Sequence, residues 1–198
     1  MKVLIVNGSP RIQKNSYNIA RYIAGIMEKN GVDHEIIDVV KLDMTPCIGC
    51  GVCSRTGVCF KNDESTSTVK KFDPSDATIV VSPIYFNSIS GQLKMFIDRF
   101  QSLYASKYDL KKPAIDRSKK RFGAFIAVGG SKGYEDQFTS AELIMDLYFK
   151  VINTRFIEKL RIPDSDRVNA WEDKATLDEV ERISLRIIEE MKKVKQQG

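Results

Sequence analysis

Short apolar runs recur along the chain and are separated by segments of mixed polarity. The runs "KVLIVNG" from Lys2, "DHEIIDVV" from Asp33, "ATIVVSPIYF" from Ala77 and "RFGAFIAVGG" from Arg121 are typical of strands in a covered sheet. A fifth, more exposed strand is predicted over "TRFIEKLRIP" and ends at Pro163. The pattern therefore predicts five strands.

Apolar residues at helical spacing fill the intervals between these strands. The segments predicted to be helical are residues 16–31, 63–71, 91–106, 140–150 and 171–196. Crossovers between parallel strands need a connection of helix length and turn right-handed, so the alternation predicts an α/β doubly wound sheet. The leading topology is a flavodoxin-like five-stranded parallel sheet, order 2-1-3-4-5, with helices on both faces and ligands at the carboxyl ends of the strands.

The composition is that of a globular protein, and a single domain is expected over residues 1–198. Hydrophobic residues make up 42% and charged residues 29% of the chain. No apolar run approaches the ~20 residues of a membrane helix, and the chain opens on a strand, so a cytoplasmic location is expected. The net charge of +5 is interpreted as a solvated surface rather than a nucleic-acid site, with an acidic redox partner as a further possibility.

The loop "NGSPRIQKNSYN", residues 7–18, joins the first strand to the first helix. Unpaired N–H groups at the positive end of a helix favour a phosphate, and Gly8 permits a tight turn before it. Side-chain donors in the loop are Ser9, Arg11, Asn15 and Ser16. The loop matches neither G-x-x-x-x-G-K-[ST] nor G-x-G-x-x-G, so a single terminal phosphate is favoured. A purely structural polar turn remains the alternative.

A second loop, "SPIYFNSISGQLKMFIDRF", follows the third strand and places Tyr85 and Phe86 across the expected switch point. Together with "GSPR…NS", it resembles the NAD(P)H-dependent FMN reductase branch of the flavodoxin-like proteins over residues 1 to about 130. For Tyr85 and for Phe86, each considered singly, the alternative is a position in the hydrophobic core. Within "GQLKMFIDR", Asp98 and Arg99 are interpreted as a local ion pair or helix-end contacts, and no catalytic residue is assigned.

This resemblance implies FMN as a cofactor and a set of residues that hold it. The phosphate would be bound by Ser9, Arg11, Asn15, Ser16 and Asn18. The isoalloxazine would be lined by Pro83, Ile84, Tyr85, Phe86, Asn87 and Ser88. Gly129 and Gly130, in "VGGSKGYED", would let backbone amides approach the pyrimidine edge.

All four cysteines, Cys47, Cys50, Cys53 and Cys59, lie in "CIGCGVCSRTGVC". A reducing compartment disfavours disulfides, which leaves metal binding or redox chemistry. Zinc sites usually present two C-x-x-C pairs with a longer spacer, whereas C-x2-C-x2-C is the leading half of the bacterial ferredoxin run. Gly49, Gly51 and Gly57 lie between the cysteines and permit the loop to fold back on itself. The pattern therefore predicts a 4Fe-4S cluster in a loop at about residues 42–62, with zinc and free or redox-active thiols left open.

The position of this cysteine pattern, after the second strand of an FMN reductase fold, resembles the iron-sulfur flavoproteins of anaerobic archaea and bacteria. The following "KNDES" resembles their acidic segment. The resemblance implies an oxidoreductase that passes electrons between a one-electron carrier such as ferredoxin, the cluster, FMN and an acceptor, in a homodimer or homotetramer. The alternatives are an NAD(P)H-dependent FMN, quinone or nitro reductase without a cluster, and a non-enzymatic flavodoxin-like module.

Overall fold

Six strands form one sheet in the computed structural model, which describes residues 1–197. Their bounds are β1 Lys2–Asn7, β2 Asp33–Asp38, β3 Ala77–Tyr85, β4 Ser88–Ile89, β5 Phe122–Gly129 and β6 Arg155–Ile162. The order is β2-β1-β3-β5-β6 with parallel pairing throughout, and β4 pairs antiparallel with the end of β3. Without the two-residue β4 the order becomes 2-1-3-4-5, so the predicted flavodoxin-like sheet is confirmed.

Seven α-helices lie within the described residues and cover both faces of the sheet. Their bounds are α1 Asn15–Lys29, α2 Val52–Thr56, α3 Glu64–Val69, α4 Gly91–Asp98, α5 Gln101–Tyr108, α6 Thr139–Val151 and α7 Lys174–Gln197. On one face, α1 and α7 bury an aliphatic cluster that includes Ile19, Ile23, Val180 and Ile187. The other face packs α4, α5 and α6 around Phe72, Phe96, Phe100 and Tyr148. None of these helices has the length and apolarity of a bilayer-spanning segment.

The helix expected over residues 91–106 is interrupted, and this is the main difference from the predicted elements. The N–H groups of Arg99 and Phe100 donate to the carbonyl groups three residues earlier, at 3.1 and 2.9 Å, which tightens the chain between α4 and α5. Apolar residues continue at the same helical spacing on both sides of the break, and Phe96, Phe100 and Leu103 are all buried in the core. The hydrophobic pattern therefore could not show the break.

Two smaller differences are an additional short helix and a later start of the last helix. The cysteine loop contains α2, which begins and ends at glycines with positive φ, Gly51 at +71° and Gly57 at +77°. The last helix begins at Lys174 rather than at residue 171, because the Asp173 carboxylate accepts the N–H of Thr176 at 2.9 Å and caps the helix.

Candidate functional site

The two predicted flavin loops meet in one cavity of about 470 Å³ at the carboxyl edge of the sheet. This volume falls within the range of about 300–1,000 Å³ that is usual for ligand sites. The predicted residues that line it are Ser9, Arg11, Asn15, Ser16, Pro83, Ile84, Tyr85, Phe86, Asn87 and Gly130. Three others, Asn18 on α1, Ser88 on β4 and Gly129 at the end of β5, are not among the lining residues.

The start of α1 forms one end of this cavity, where a phosphate is predicted. No side chain caps this helix, and its first turn contains no acidic residue. Arg11 and Lys14 add two exposed cations to the same wall. Uncapped N–H groups, the positive end of the helix dipole and two cations together favour a dianionic phosphate.

The half-buried carboxylate of Asp38 fixes the base of the loop that joins β1 to α1. The Asn7 side chain donates to Asp38 at 2.8 Å and accepts the N–H of Ser9 at 3.1 Å. Asp38 also accepts two bonds from Arg21 of α1, at 2.7 and 2.5 Å, and lies 2.9 Å from Lys41. Burial alone would raise the pKa of Asp38, but the bonds from Arg21, Asn7 and Lys41 outweigh it and hold the pKa well below its usual range.

The Asn15 side chain lies in the cavity wall, and both ends of its amide are already hydrogen-bonded within the protein. Its Nδ2 donates to the carbonyl of Ser165 at 3.0 Å, and its Oδ1 accepts the N–H of Ala170 at 3.0 Å. The side chain therefore ties the phosphate loop to residues 163–170, which follow β6. Its predicted contact with a phosphate stays a prediction.

The ring end of the cavity is built on the hairpin between β3 and β4. Phe86 and Asn87 occupy its two turn positions with φ of +48° and +59°, as a type I′ turn requires. The Phe86 side chain is fully exposed at the tip, and the Tyr134 hydroxyl donates to Asn87 Oδ1. Tyr85 and Tyr134 give this end the aromatic surface that suits a flat ring system.

Seven lining residues were not predicted: Lys14, Val128, Ser131, Tyr134, Gln137, Ser165 and Asp166. Tyr134 lies inside the glycine loop that the sequence had singled out. Ser165 and Asp166 follow the last strand, so the rule that ligands sit at the carboxyl ends of parallel strands could have found them. Gln137 carries no sequence signal. Its amide oxygen is buried without a hydrogen-bond partner, while its Nε2 donates to Ser131 Oγ at 3.0 Å.

The four cysteines line a second cavity, of about 390 Å³, beside the junction of α4 and α5. Cys47 and Cys50 are exposed, Cys53 and Cys59 are half-buried, and all four are free thiols. The loop folds back through Gly49, Gly51 and Gly57, all with positive φ. Burial raises the pKa of Cys53, and the neighbouring thiols add to the effect.

The cysteine cavity does not present a ready site for a single ion. Within residues 1–197, no three His, Cys, Asp or Glu side chains converge closely enough to hold a metal ion. Tetrahedral zinc would need its thiolates about 3.8 Å apart, given Zn–S bonds of ~2.3 Å. A cubane takes one thiolate at each of four irons, so its ligand sulfurs lie farther apart. Four free thiols around one cavity match the four-thiolate donor set of a cubane, a set that structural zinc shares.

Of the two alternatives for Asp98 and Arg99, the local ion pair is wrong, whereas contacts at a helix end agree with their positions at the end of α4. Asp98 pairs with Lys94 one turn earlier, at 2.7 Å, whereas Arg99 turns into the base of the cysteine loop and pairs with Asp63 at 2.5 Å. Burial alone would raise the pKa of Asp63, but bonds from Arg99 and from the backbone of Thr45 and Thr66 lower it to about 2. Asp63, in the acidic segment after the cysteines, is thus paired with Arg99 at the junction of α4 and α5.

Comparison with known proteins decides the family. A model described as NADPH-dependent FMN reductase matches residues 1–175. The chain belongs to the NADPH-dependent FMN reductase family. The predicted family is therefore confirmed, as is the prediction of an FMN-dependent oxidoreductase. The matched residues include both loops of the 470 Å³ cavity and the whole cysteine loop.

Two relatives of this FMN reductase family member carry the name iron-sulfur flavoprotein. One, from Methanocaldococcus jannaschii, is 31% identical over 143 residues, which cover 72% of this chain and 69% of the relative. The other, from Archaeoglobus fulgidus, is 32% identical over 111 residues, which cover 56% of this chain and 54% of the relative. The match thus spans only about half the length of the second relative.

Solved structures agree with the family fold. An FMN-dependent NADH-azoreductase from Bacillus anthracis, solved in complex with FMN, superposes with a TM-score of 0.65 at 18% identity. The superposition covers 94% of this chain and 98% of the azoreductase. At this identity the likeness shows the fold, which is the flavodoxin-like sheet described above.

Proposed function

We propose that this protein is an iron-sulfur flavoprotein that transfers electrons between a one-electron carrier, such as a ferredoxin, and a small-molecule acceptor. FMN would occupy the 470 Å³ cavity, and a 4Fe-4S cluster would be held by Cys47, Cys50, Cys53 and Cys59. The observation that carries the proposal is the gathering of all four cysteines around one cavity, in a chain whose relatives are named iron-sulfur flavoproteins.

The polar groups of the first cavity suit FMN at both ends. Ser9, Arg11, Ser16 and the start of α1 would hold the phosphate, and residues 83–88 would line the isoalloxazine. The pyrimidine ring of a flavin carries an N–H group, and the partnerless amide oxygen of Gln137 is an acceptor for such a donor. Gly129, Gly130 and Ser88 complete the proposed set, and the phosphate contact predicted for Asn18, which lies outside the cavity lining, stays a prediction.

The two groups differ in what they supply: bound FMN provides both two-electron and one-electron chemistry, and a cluster provides one-electron chemistry. The residues of the chain position these groups. The Asn7, Asp38 and Arg21 network fixes the phosphate loop, and Asn15 closes the wall beside it. The glycines of the cysteine loop allow its backbone to fold around a ligand.

A basic groove supports an acidic protein as the electron carrier. It has a volume of about 600 Å³ and lies at the edge of the sheet where β5 and β6 begin. Its exposed or half-buried cationic side chains are Lys107, Arg117, Lys119, Lys120, Lys150, Arg155 and Lys193, while Arg121 is buried against Asp73; the one acidic lining residue is Glu190. Such a field accelerates association with a protein of opposite charge.

A second candidate function is an NAD(P)H-dependent reductase of FMN, quinones or nitro compounds, with zinc or free thiols in the cysteine loop. The description of the matching family favours it. The two functions differ in the donor: NAD(P)H reduces the flavin rapidly in the second, and slowly or not at all in the first.

The deciding experiment is anaerobic purification followed by a visible spectrum and by iron, zinc and acid-labile sulfide analysis. The proposal predicts flavin bands over a broad shoulder near 400 nm, with about four irons and four sulfides per chain. Zinc without sulfide, or rapid flavin reduction by NADPH in an iron-free protein, would establish the second candidate instead.

A matched pair of variants separates the two cofactor sites. Cys50→Ala removes one proposed ligand and is expected to lose most of the iron while FMN remains, because the two cavities have no lining residue in common. Ser54→Ala changes a neighbouring lining residue that is not a proposed ligand, and should keep both. Simultaneous loss of FMN and iron from Cys50→Ala would contradict the independence of the two sites.

A further inference from the structure

Arg99 is a buried cation at the base of the cysteine loop, and its side chain is only 1% exposed. Its Nη1 donates to the carbonyl of Thr45 at 2.8 Å and to the Asp63 carboxylate at 2.5 Å. Its Nη2 donates to Thr66 Oγ1 at 3.0 Å and lies 3.5 Å from Cys59 Sγ. The guanidinium therefore contacts a cysteine sulfur directly.

These partners lie on both sides of the four cysteines. Thr45 precedes Cys47 by two residues, and Asp63 follows Cys59 by four. Arg99 itself is anchored in the core, because its neighbour Phe100 packs edge-on against Phe72 with ring centroids 4.9 Å apart. One side chain thus joins the entry and the exit of the loop to the rigid junction between α4 and α5.

We propose that Arg99 is a positioning residue for the proposed cluster, which fixes the cysteine loop and raises the reduction potential of the site through its contact with Cys59. This inference rests on the proposed function. Reduction adds negative charge to a cluster and its thiolates, so a hydrogen-bonded cation beside one sulfur stabilises the reduced form. The carboxylate of Asp63 partly offsets that charge.

The matched test compares two equally buried arginines. Arg99→Lys keeps a positive charge but loses the planar fork that reaches Cys59, Thr45 and Asp63 together. Arg121→Lys makes the same change where the guanidinium, also 1% exposed, pairs with Asp73 at 2.9 Å and does not line the cysteine cavity. Redox titration followed by electron paramagnetic resonance should give a more negative midpoint potential for Arg99→Lys and an unchanged one for Arg121→Lys.

A second variant keeps the inference testable if Arg99→Lys does not fold. Asp63→Asn preserves the shape and the cap of α3, since asparagine caps helices as well as aspartate does. It removes the negative charge that opposes Arg99, so the midpoint potential should shift in the positive direction. An unchanged or more negative potential in Asp63→Asn would overturn the inference, as would an unchanged potential in a loaded Arg99→Lys protein.

The outcome for the wild-type protein separates this inference from the proposed function. Absence of iron and sulfide from anaerobically prepared wild type overturns the proposed function, and the role of Arg99 in setting a potential with it. If the wild-type protein contains the cluster but its midpoint potential equals those of Arg99→Lys and Asp63→Asn, only the role of Arg99 is overturned.

Discussion

At the scale of single residues, Asp38 supports one end of the proposed flavin cavity without lining it. Its carboxylate joins the ends of β1 and β2 through Asn7 and anchors α1 through Arg21. The Asn7 side chain in turn holds the N–H of Ser9, the first predicted phosphate residue. The sequence gives no sign of this network, because its members are 31 and 17 residues apart and no local pattern links them.

The depressed pKa of Asp38 predicts how stability depends on pH. A carboxyl group whose pKa is lower in the folded protein stabilises the fold above its unfolded pKa of ~3.9, and this contribution is lost as pH falls further. Asp38→Asn should therefore reduce the free energy of unfolding by about 1–3 kcal/mol at pH 7, and the difference from wild type should shrink below about pH 4.

Denaturant unfolding at several pH values checks this expectation. Asp98→Asn is the control, because the exposed pair of Asp98 with Lys94 should contribute less than about 1 kcal/mol at any pH. An Asp38→Asn protein whose deficit is the same at pH 3 and pH 7 would contradict the electrostatic role.

A second residue-scale prediction distinguishes Asn15 from Asn18. Asn15→Ala removes both bonds to residues 163–170 and opens the cavity wall, so FMN affinity should fall about tenfold or more, the equivalent of about 1.4 kcal/mol. Asn18→Ala should change affinity less than threefold if Asn18 stays outside the cavity lining. Quenching of flavin fluorescence measures both, and an equal loss in the two variants would support the phosphate contact predicted for Asn18.

At the scale of elements, the regular part of the fold was predictable and its interruptions were not. Four of the five long strands follow from short apolar runs, and the more exposed β6 ends just before Pro163 as predicted; these local patterns do not depend on distant contacts. The break between α4 and α5 lies at Arg99, whose side-chain partners are 36 and 54 residues away. The cysteine pattern itself suggested a ligand loop, but its attachment to Arg99 is a tertiary feature that periodicity does not encode.

The β3–β4 hairpin gives a prediction about backbone strain. Phe86 has a positive φ, which disfavours any residue with a Cβ atom, and its exposed side chain has little to lose on truncation. Phe86→Gly should therefore be more stable than Phe86→Ala by about 1 kcal/mol. At Leu143, an exposed position in α6, the order should reverse, with glycine about 1 kcal/mol less stable than alanine. Equal stability of the two Phe86 variants would argue against the turn conformation.

At the scale of the whole molecule, helix α5 connects the two surfaces to which the proposed function assigns electron entry. Gln101 and Ser102, in its first turn, line the cysteine cavity, and Lys107 and Tyr108, at its end, line the basic groove. Lys107 follows Ser102 by five positions on the helix, about 7.5 Å along its axis. The flavin cavity opens at the carboxyl edge of the sheet, away from this groove. A protein carrier bound at the groove would leave the flavin accessible to a small acceptor.

This arrangement predicts a reduction rate that depends on salt and on two exposed cations. Arg117→Glu with Lys120→Glu places two negative charges in the groove, so the second-order rate of reduction by an acidic ferredoxin should fall about tenfold at low ionic strength. The difference should narrow near 0.5 M salt, where screening acts over a few ångströms. Lys174→Glu, at the start of α7, adds a negative charge away from the groove and is the control. Stopped-flow absorbance measures all three proteins, and a doubly reversed variant with an unchanged rate would place the carrier elsewhere, because repulsion at its docking surface must slow the encounter.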